Sequence, residues 1–194
     1  SASLVGSEMC IRDSIQDVLR EDLELLSIHP MCGRESRGIE FSDETIFKGS
    51  NFILVPTQKN KNETVESVKE LANKMEFGRI CTLSIEEHDK MIGFLSQLTH
   101  VIAVSLMNTH NNAHLVEYTG DSFRDLTRIA KINEDLWTEL FIMNKDILLD
   151  EINQFIDSIS HFRDSLEQED TQEMKRLFIQ STKRRDKFNK TDAK

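Results

Sequence analysis

Proline and glycine are scarce, with two and seven residues among 194. That excludes collagen-like and low-complexity chains and favours long helices. Cysteine is scarce too, at positions 10, 32 and 81. These three form no C-x-x-C pair and no zinc-like spacing, so a reduced, cytoplasmic setting is expected. An excess of positive charge is missing: 34 acidic residues face 24 basic ones, for a net charge of −10 and a pI near 5.1. Nucleic acid and anionic membrane are therefore not expected as main partners. The longest apolar run, residues 91–107, is interrupted by Ser96, Gln97, Thr99, His100 and Ser105. It falls short of the roughly 20 apolar residues of a spanning helix and reads as a buried one. No internal repeat, P-loop or G-x-G-x-x-G turn is present.

What is present begins with an odd start. "LVGSEMCIRDS", Leu4 to Ser14, resembles an in-frame translation of a transposon-type sequencing-library adapter. Residues 1–14, Cys10 included, are accordingly expected to be non-native, left by a gene fragment assembled with adapter attached.

From there the pattern is α-β-β-α-β: a helix over 14–23, strands over 23–28 and 50–57, a helix over 62–78 capped by Gly78, and a strand over 79–84. That order suits the second half of an α/β domain. Past Ser84 everything reads as helix. Ser84 and Glu87 form a capping box. One long helix runs from Ile85 to about His110, apolar on nearly all sides past Met91, as at a subunit interface. A break at 117–122 precedes a short helix from Phe123, a long amphipathic helix over 133–162 and a last helix over 171–187. The basic tail after it reads as a solvated terminus.

Several side chains could carry chemistry. His29 stands where the 23–28 strand ends, before Pro30 and a cluster closed by Gly33 and Gly38. It is either a functional histidine at the carboxyl end of a strand or a plain strand-end residue. Asp125 and Arg128 stand at i, i+3, either as an exposed ion pair or with Arg128 offering its fork of donors to a carboxylate. His100 sits inside the apolar helix, as a core histidine or a ligand. His110 and His114 have metal-pair spacing with no third ligand. Trp137, the single tryptophan, suits core or interface packing.

Three segments together resemble one family. "HPMCGRESRGIEFSDETIFKGSNFILVPT", "LTHVIAVSLMN" and "GDSFRDLTRIAKINEDLWTELFIMNK" look like the His-Pro-Met-Ala-Gly, Thr-His-hydrophobic and Phe-Arg-Asp-Thr-Arg-Ile-Ala segments of prephenate dehydrogenases, in the same order, over about residues 15–185. The resemblance implies an α/β remnant, the C-terminal half of a Rossmann-type NAD-binding domain (15–84), followed by an all-α dimerisation domain (85–190). It implies oxidation of prephenate by NAD, or NADP, with loss of CO₂ to give 4-hydroxyphenylpyruvate on the way to tyrosine. It implies a homodimer, no metal, His29 as the catalytic histidine and Arg128 as the arginine on a substrate carboxylate. Glu35, His100, Asp125 and Trp137 would line or gate the site, the tryptophan coming from the partner subunit. Asp121, Ser122, Cys32 and Arg34 depart from the family pattern and leave arogenate open as substrate. The cofactor-binding glycine loop is absent, so the 194 residues alone are expected to be inactive. A non-catalytic helical dimerisation module is the rival reading.

Overall fold

The computed structural model describes residues 15, 18–33, 39–111 and 114–189. The segment expected to be non-native, with Cys10, lies outside them, as do Arg34, Glu35, Arg37 and Gly38. The chain divides into two compact units, residues 1–148 and 149–194.

The first unit holds a three-stranded sheet in the order β1 (Ser27–Met31), β2 (Asn51–Val55), β3 (Arg79–Thr82). β1 runs antiparallel to β2, and β2 runs parallel to β3. A parallel pair needs a crossover, and α1 (Asn62–Lys74) supplies it. β2 is central, so its apolar run is buried from Phe52 to Val55, with Leu54 fully enclosed. Ala72 of α1, Phe77, Val68 and Phe47 pack on Phe52 and Leu54. Among the described residues β1 pairs with β2 alone, and an edge position tolerates Pro30.

Three expectations change here. His29 does not end its strand: it is the third residue of β1, opposite Ile53, and the strand continues through Pro30 to Met31. From Val18 the chain runs through turns, so the helix expected to reach residue 23 does not extend that far. Gly78 does not cap α1. Glu76 takes the left-handed position (φ 60°), and Phe77 N–H reaches back to the Ala72 carbonyl at 3.2 Å. Gly78 is needed for another reason: a Cβ there would lie 2.6 Å from the Gly49 carbonyl oxygen. Gly49 itself has φ 75°, and the Gly78 N–H donates to Ser50 O at 2.9 Å. Gly78→Ala is therefore expected to cost about 1–3 kcal/mol of stability by forcing these backbones apart, read as a lower urea midpoint.

The helical part that follows the sheet begins with α2 (Ile85–Ile92), which the Ser84/Glu87 capping box starts as expected. A π-helical segment (Gly93–Leu98) and α3 (Thr99–Thr109) continue it. Ile92, Leu98 and Ala103 are buried, whereas Met91, Phe94, Leu95 and Met107 are open to solvent. The run expected to be buried on all sides is thus covered on one side by its own chain. Next come α4 (Leu115–Tyr118), α5 (Asp121–Thr127), a 3₁₀ turn (Arg128–Ala130), α6 (Glu134–Met143) and α7 (Lys145–Glu167). The single helix expected over 133–162 is two, because the chain breaks at Asn144.

In the second unit, the end of α7 turns through Glu169 (φ 52°) into α8 (Thr171–Asn189). Asp170 caps α8 by accepting from the Gln172 and Glu173 amides. Glu173 joins the two helices by accepting from His161 at 2.8 Å while also pairing with Arg176.

Candidate active site

β1 presents His29 to α2. Its Nδ1 lies 2.9 Å from His88 Nε2, with ring centroids 5.2 Å apart. The capping box fixes where α2 begins, and so sets His88 and Asp89 at its fourth and fifth positions. Both are buried, at 1% and 3% exposure. His88 Nδ1 donates to Asp89 Oδ1 at 3.0 Å, since an ionised carboxylate only accepts. Strand and helix thus share a chain of three side chains, His29–His88–Asp89.

A second buried network holds this part of the helix. Asn144 Nδ2 donates to the Asp89 carbonyl at 3.1 Å and to Gln97 Oε1 at 2.8 Å. Gln97 Nε2 donates to the Leu140 carbonyl. The π segment belongs to this arrangement: its wider turn carries Gln97, which points inward. Among the described residues every buried side-chain polar atom has a partner.

Burial, and then the electrostatic influence of the neighbouring His88 ring, lower the pKa of His29 from the ordinary 6.5 to about 4. At neutral pH it is an uncharged imidazole, able to accept a proton. The shift also makes stability depend on pH. A histidine that resists protonation only when folded contributes stability that is complete above about 6.5 and is lost as pH falls toward 4. Glu24 and Glu173, held at about 2, act in a lower window, below about 4.5. Acidification from about pH 7 to 5 is therefore expected to lower the melting temperature by a loss on the order of 1 kcal/mol from His29. His29→Gln should flatten that part of the profile.

The other histidine expected at the site, His100, lies in α3. Its Nδ1 donates to the Ser96 carbonyl at 2.8 Å, and its ring stacks on Trp137 of α6, with centroids 3.6 Å apart and planes at 30°. Phe141 meets the indole edge-on. Burial and the nearby charge of Arg128 push the His100 pKa down, against the raising effect of the Ser96 carbonyl. Arg128 is exposed in the 3₁₀ turn, and Asp125 is exposed on α5. The resemblance brings a tryptophan from the partner subunit; here Trp137 lies against His100 of its own chain. Gly33 has room for a Cβ, so its turn does not require glycine. His114 pairs with Glu117 at 3.0 Å, and no group of three metal-binding side chains occurs among the described residues.

Of the residues named from the sequence, the structure gathers His100, Trp137 and Arg128 into one neighbourhood and ties His29 to the start of the same helical run. Twelve residues, or roughly 18 Å of helix, separate His88 from His100. Glu35 lies outside the described residues. Sequence reasoning missed His88 and Asp89. The signal was "EEHDK" just after a capping box, at the head of a helix that turns apolar one residue later.

Comparison with known proteins supplies the rest. The model of the prephenate dehydrogenase dimerization domain matches residues 84–180, half of the chain, and that of the prephenate dehydrogenase nucleotide-binding domain matches residues 6–80. The prephenate dehydrogenase of Bacillus subtilis is 32% identical over 180 residues, 90% of this chain and 48% of that protein. The crystal structure of the Aquifex aeolicus prephenate dehydrogenase in complex with hydroxyphenyl propionate and NAD+ is similar at a TM-score of 0.74 and 28% identity, over 84% of this chain and 58% of that one. The Synechocystis arogenate dehydrogenase shares the fold, at a TM-score of 0.72 and 20% identity over 84% of this chain and 61% of that one. The chain thus spans about half the length of its Bacillus relative. With a nucleotide-binding half and a dimerisation half both matched, in the order the folded chain presents them, the chain belongs to the prephenate dehydrogenase family of oxidoreductases.

Proposed function

We propose that the protein oxidises prephenate with NAD and releases CO₂, giving 4-hydroxyphenylpyruvate. One observation carries the reading: on a chain of this family, an uncharged histidine is held at 2.9 Å from a buried partner where the strand layer meets the helices.

His29 Nε2 accepts the hydroxyl proton as hydride leaves the alcohol carbon. The ketone so formed is an electron sink para to the ring carboxylate. The bond to that carboxylate then breaks, its electron pair enters the ring, CO₂ departs as the ring becomes aromatic, and the phenolate oxygen takes the proton back from His29. NAD, when bound, supplies the hydride acceptor. The parallel pair β2–β3 with its crossover α1 is one flank of a dinucleotide-binding sheet; the 194 residues contain no glycine-rich turn for the pyrophosphate. Arg128 meets a substrate carboxylate with a bidentate fork, beside the His100–Trp137 stack. Asp125 is assigned to the same substrate site, as is Glu35 by the motif resemblance alone.

The reading includes a cytoplasmic homodimer formed through the helical domain, which the exposed Met91, Phe94, Leu95 and Met107 support. The domain organisation that goes with it is a Rossmann-type part over 15–84 and a helical part over 85–190, behind an adapter-derived start. The test is prephenate-dependent formation of NADH by the uninterrupted gene product, with arogenate assayed beside it. A higher kcat/KM for prephenate supports the proposal. A higher one for arogenate moves the enzyme to that substrate, and no NADH with either substrate ends the reading.

A further inference from the structure

We infer that His88 and Asp89 are positioning residues that fix the tautomer of His29, leaving the lone pair on its Nε2. The inference rests on the reading of His29 as the proton acceptor and adds what makes it one.

A neutral imidazole has one N–H and one bare nitrogen, and which is which depends on its neighbours. The order here is set from the buried end. The Asp89 carboxylate only accepts, so the proton of His88 sits on Nδ1. His88 Nε2 is then the acceptor at the other side of the ring. The atom facing it at 2.9 Å is His29 Nδ1, which must donate. His29 is thereby left with a bare Nε2. Were His88 doubly protonated instead, its Nε2 would donate, His29 Nδ1 would accept, and His29 Nε2 would carry a hydrogen and take no proton. When Nε2 does take the substrate proton, the new cation donates through Nδ1 to His88, and the negative charge of Asp89 stands behind that ring. The buried amide network on the Asp89 carbonyl and Gln97 holds the helix where this alignment is possible.

The arrangement also explains the place of these residues in the chain. His29 comes from a strand, His88 and Asp89 from the first helix of the following part, 59 residues on. The base takes its working form only when the two parts are packed together.

The test is the nitrogen signature of the imidazoles, read by long-range ¹H–¹⁵N correlation on the ¹⁵N-histidine-labelled chain slightly above neutral pH. His29→Gln and His88→Gln assign the signals. Both His29 and His88 are expected as Nδ1–H tautomers with bare Nε2. A His29 signal of the Nε2–H type overturns the inference. In folded Asp89→Asn, a population of the Nε2–H form is expected on His29; an unchanged His29 signal there removes Asp89 from the account. In the active enzyme the same variant is expected to lower kcat ~10²-fold or more with KM little changed. A failure of the dehydrogenase reading leaves the nitrogen signals as described, whereas the wrong tautomer in an active enzyme removes this inference alone.

Discussion

Replacing His29 by asparagine is expected to lower kcat by ~10²–10⁴-fold in the active enzyme, with KM nearly unchanged. Asparagine is the informative choice. Its amide occupies the position of the imidazole Nδ1 and can keep a hydrogen bond to His88, so β1 and α2 remain joined. It lacks the Nε2 atom that takes the proton. The loss therefore falls on the chemical step, because the substrate is still held by groups elsewhere. Steady-state kinetics with prephenate measure it. A variant with near-normal kcat, or one whose whole defect lies in KM, contradicts the role.

Arg128→Ala is expected to do the reverse, raising KM by roughly 10–100-fold with a smaller effect on kcat. A charge-assisted hydrogen bond contributes about 1.5–3 kcal/mol, and a bidentate guanidinium–carboxylate pair lies at the stronger end. Arg128→Lys should recover only part of the loss, because a single ammonium cannot reproduce the planar fork. The free protein offers a second readout. The charge of Arg128 lowers the pKa of His100, so titrating His100 in Arg128→Ala should give a higher value than in the parent. An unchanged KM would take Arg128 out of the substrate site, and an unchanged His100 titration would separate the two side chains.

The parts of the fold that were legible in the sequence are those fixed by local pattern. The apolar run 52–55 reads as a strand because a central strand is covered on both faces. The Ser84/Glu87 pair reads as a helix start because two backbone donors need partners there. What was not legible depends on neighbours distant in sequence. Pro30 suggested the end of a strand, yet β1 carries it because, among the described residues, β1 is paired on one side. Gly78 suggested a helix cap, but its space is limited by Gly49 across the loop. Asn144 broke an apparently continuous helix because its amide is drawn inward to Gln97 and the Asp89 carbonyl.

The candidate site divides in the same way. His29, His100, Arg128 and Trp137 stood out through motif resemblance. His88 and Asp89 did not, because a histidine and an aspartate between glutamates and a lysine look like the solvated polar face of a helix start. They are buried in the folded chain, where His29 of β1 meets His88 and Asn144 meets the Asp89 carbonyl, all residues distant in sequence.

One ligand titration tests most directly whether the two histidine clusters form a single site. Hydroxyphenyl propionate, the compound named with the Aquifex protein, would be added to the labelled active enzyme in the presence of NAD+. The imidazole signals of His29 and His100 and the indole N–H of Trp137 would be followed together. If the clusters form one site, all three signals shift with one common dissociation constant. Shifts confined to His100 and Trp137, with His29 unmoved, would contradict it.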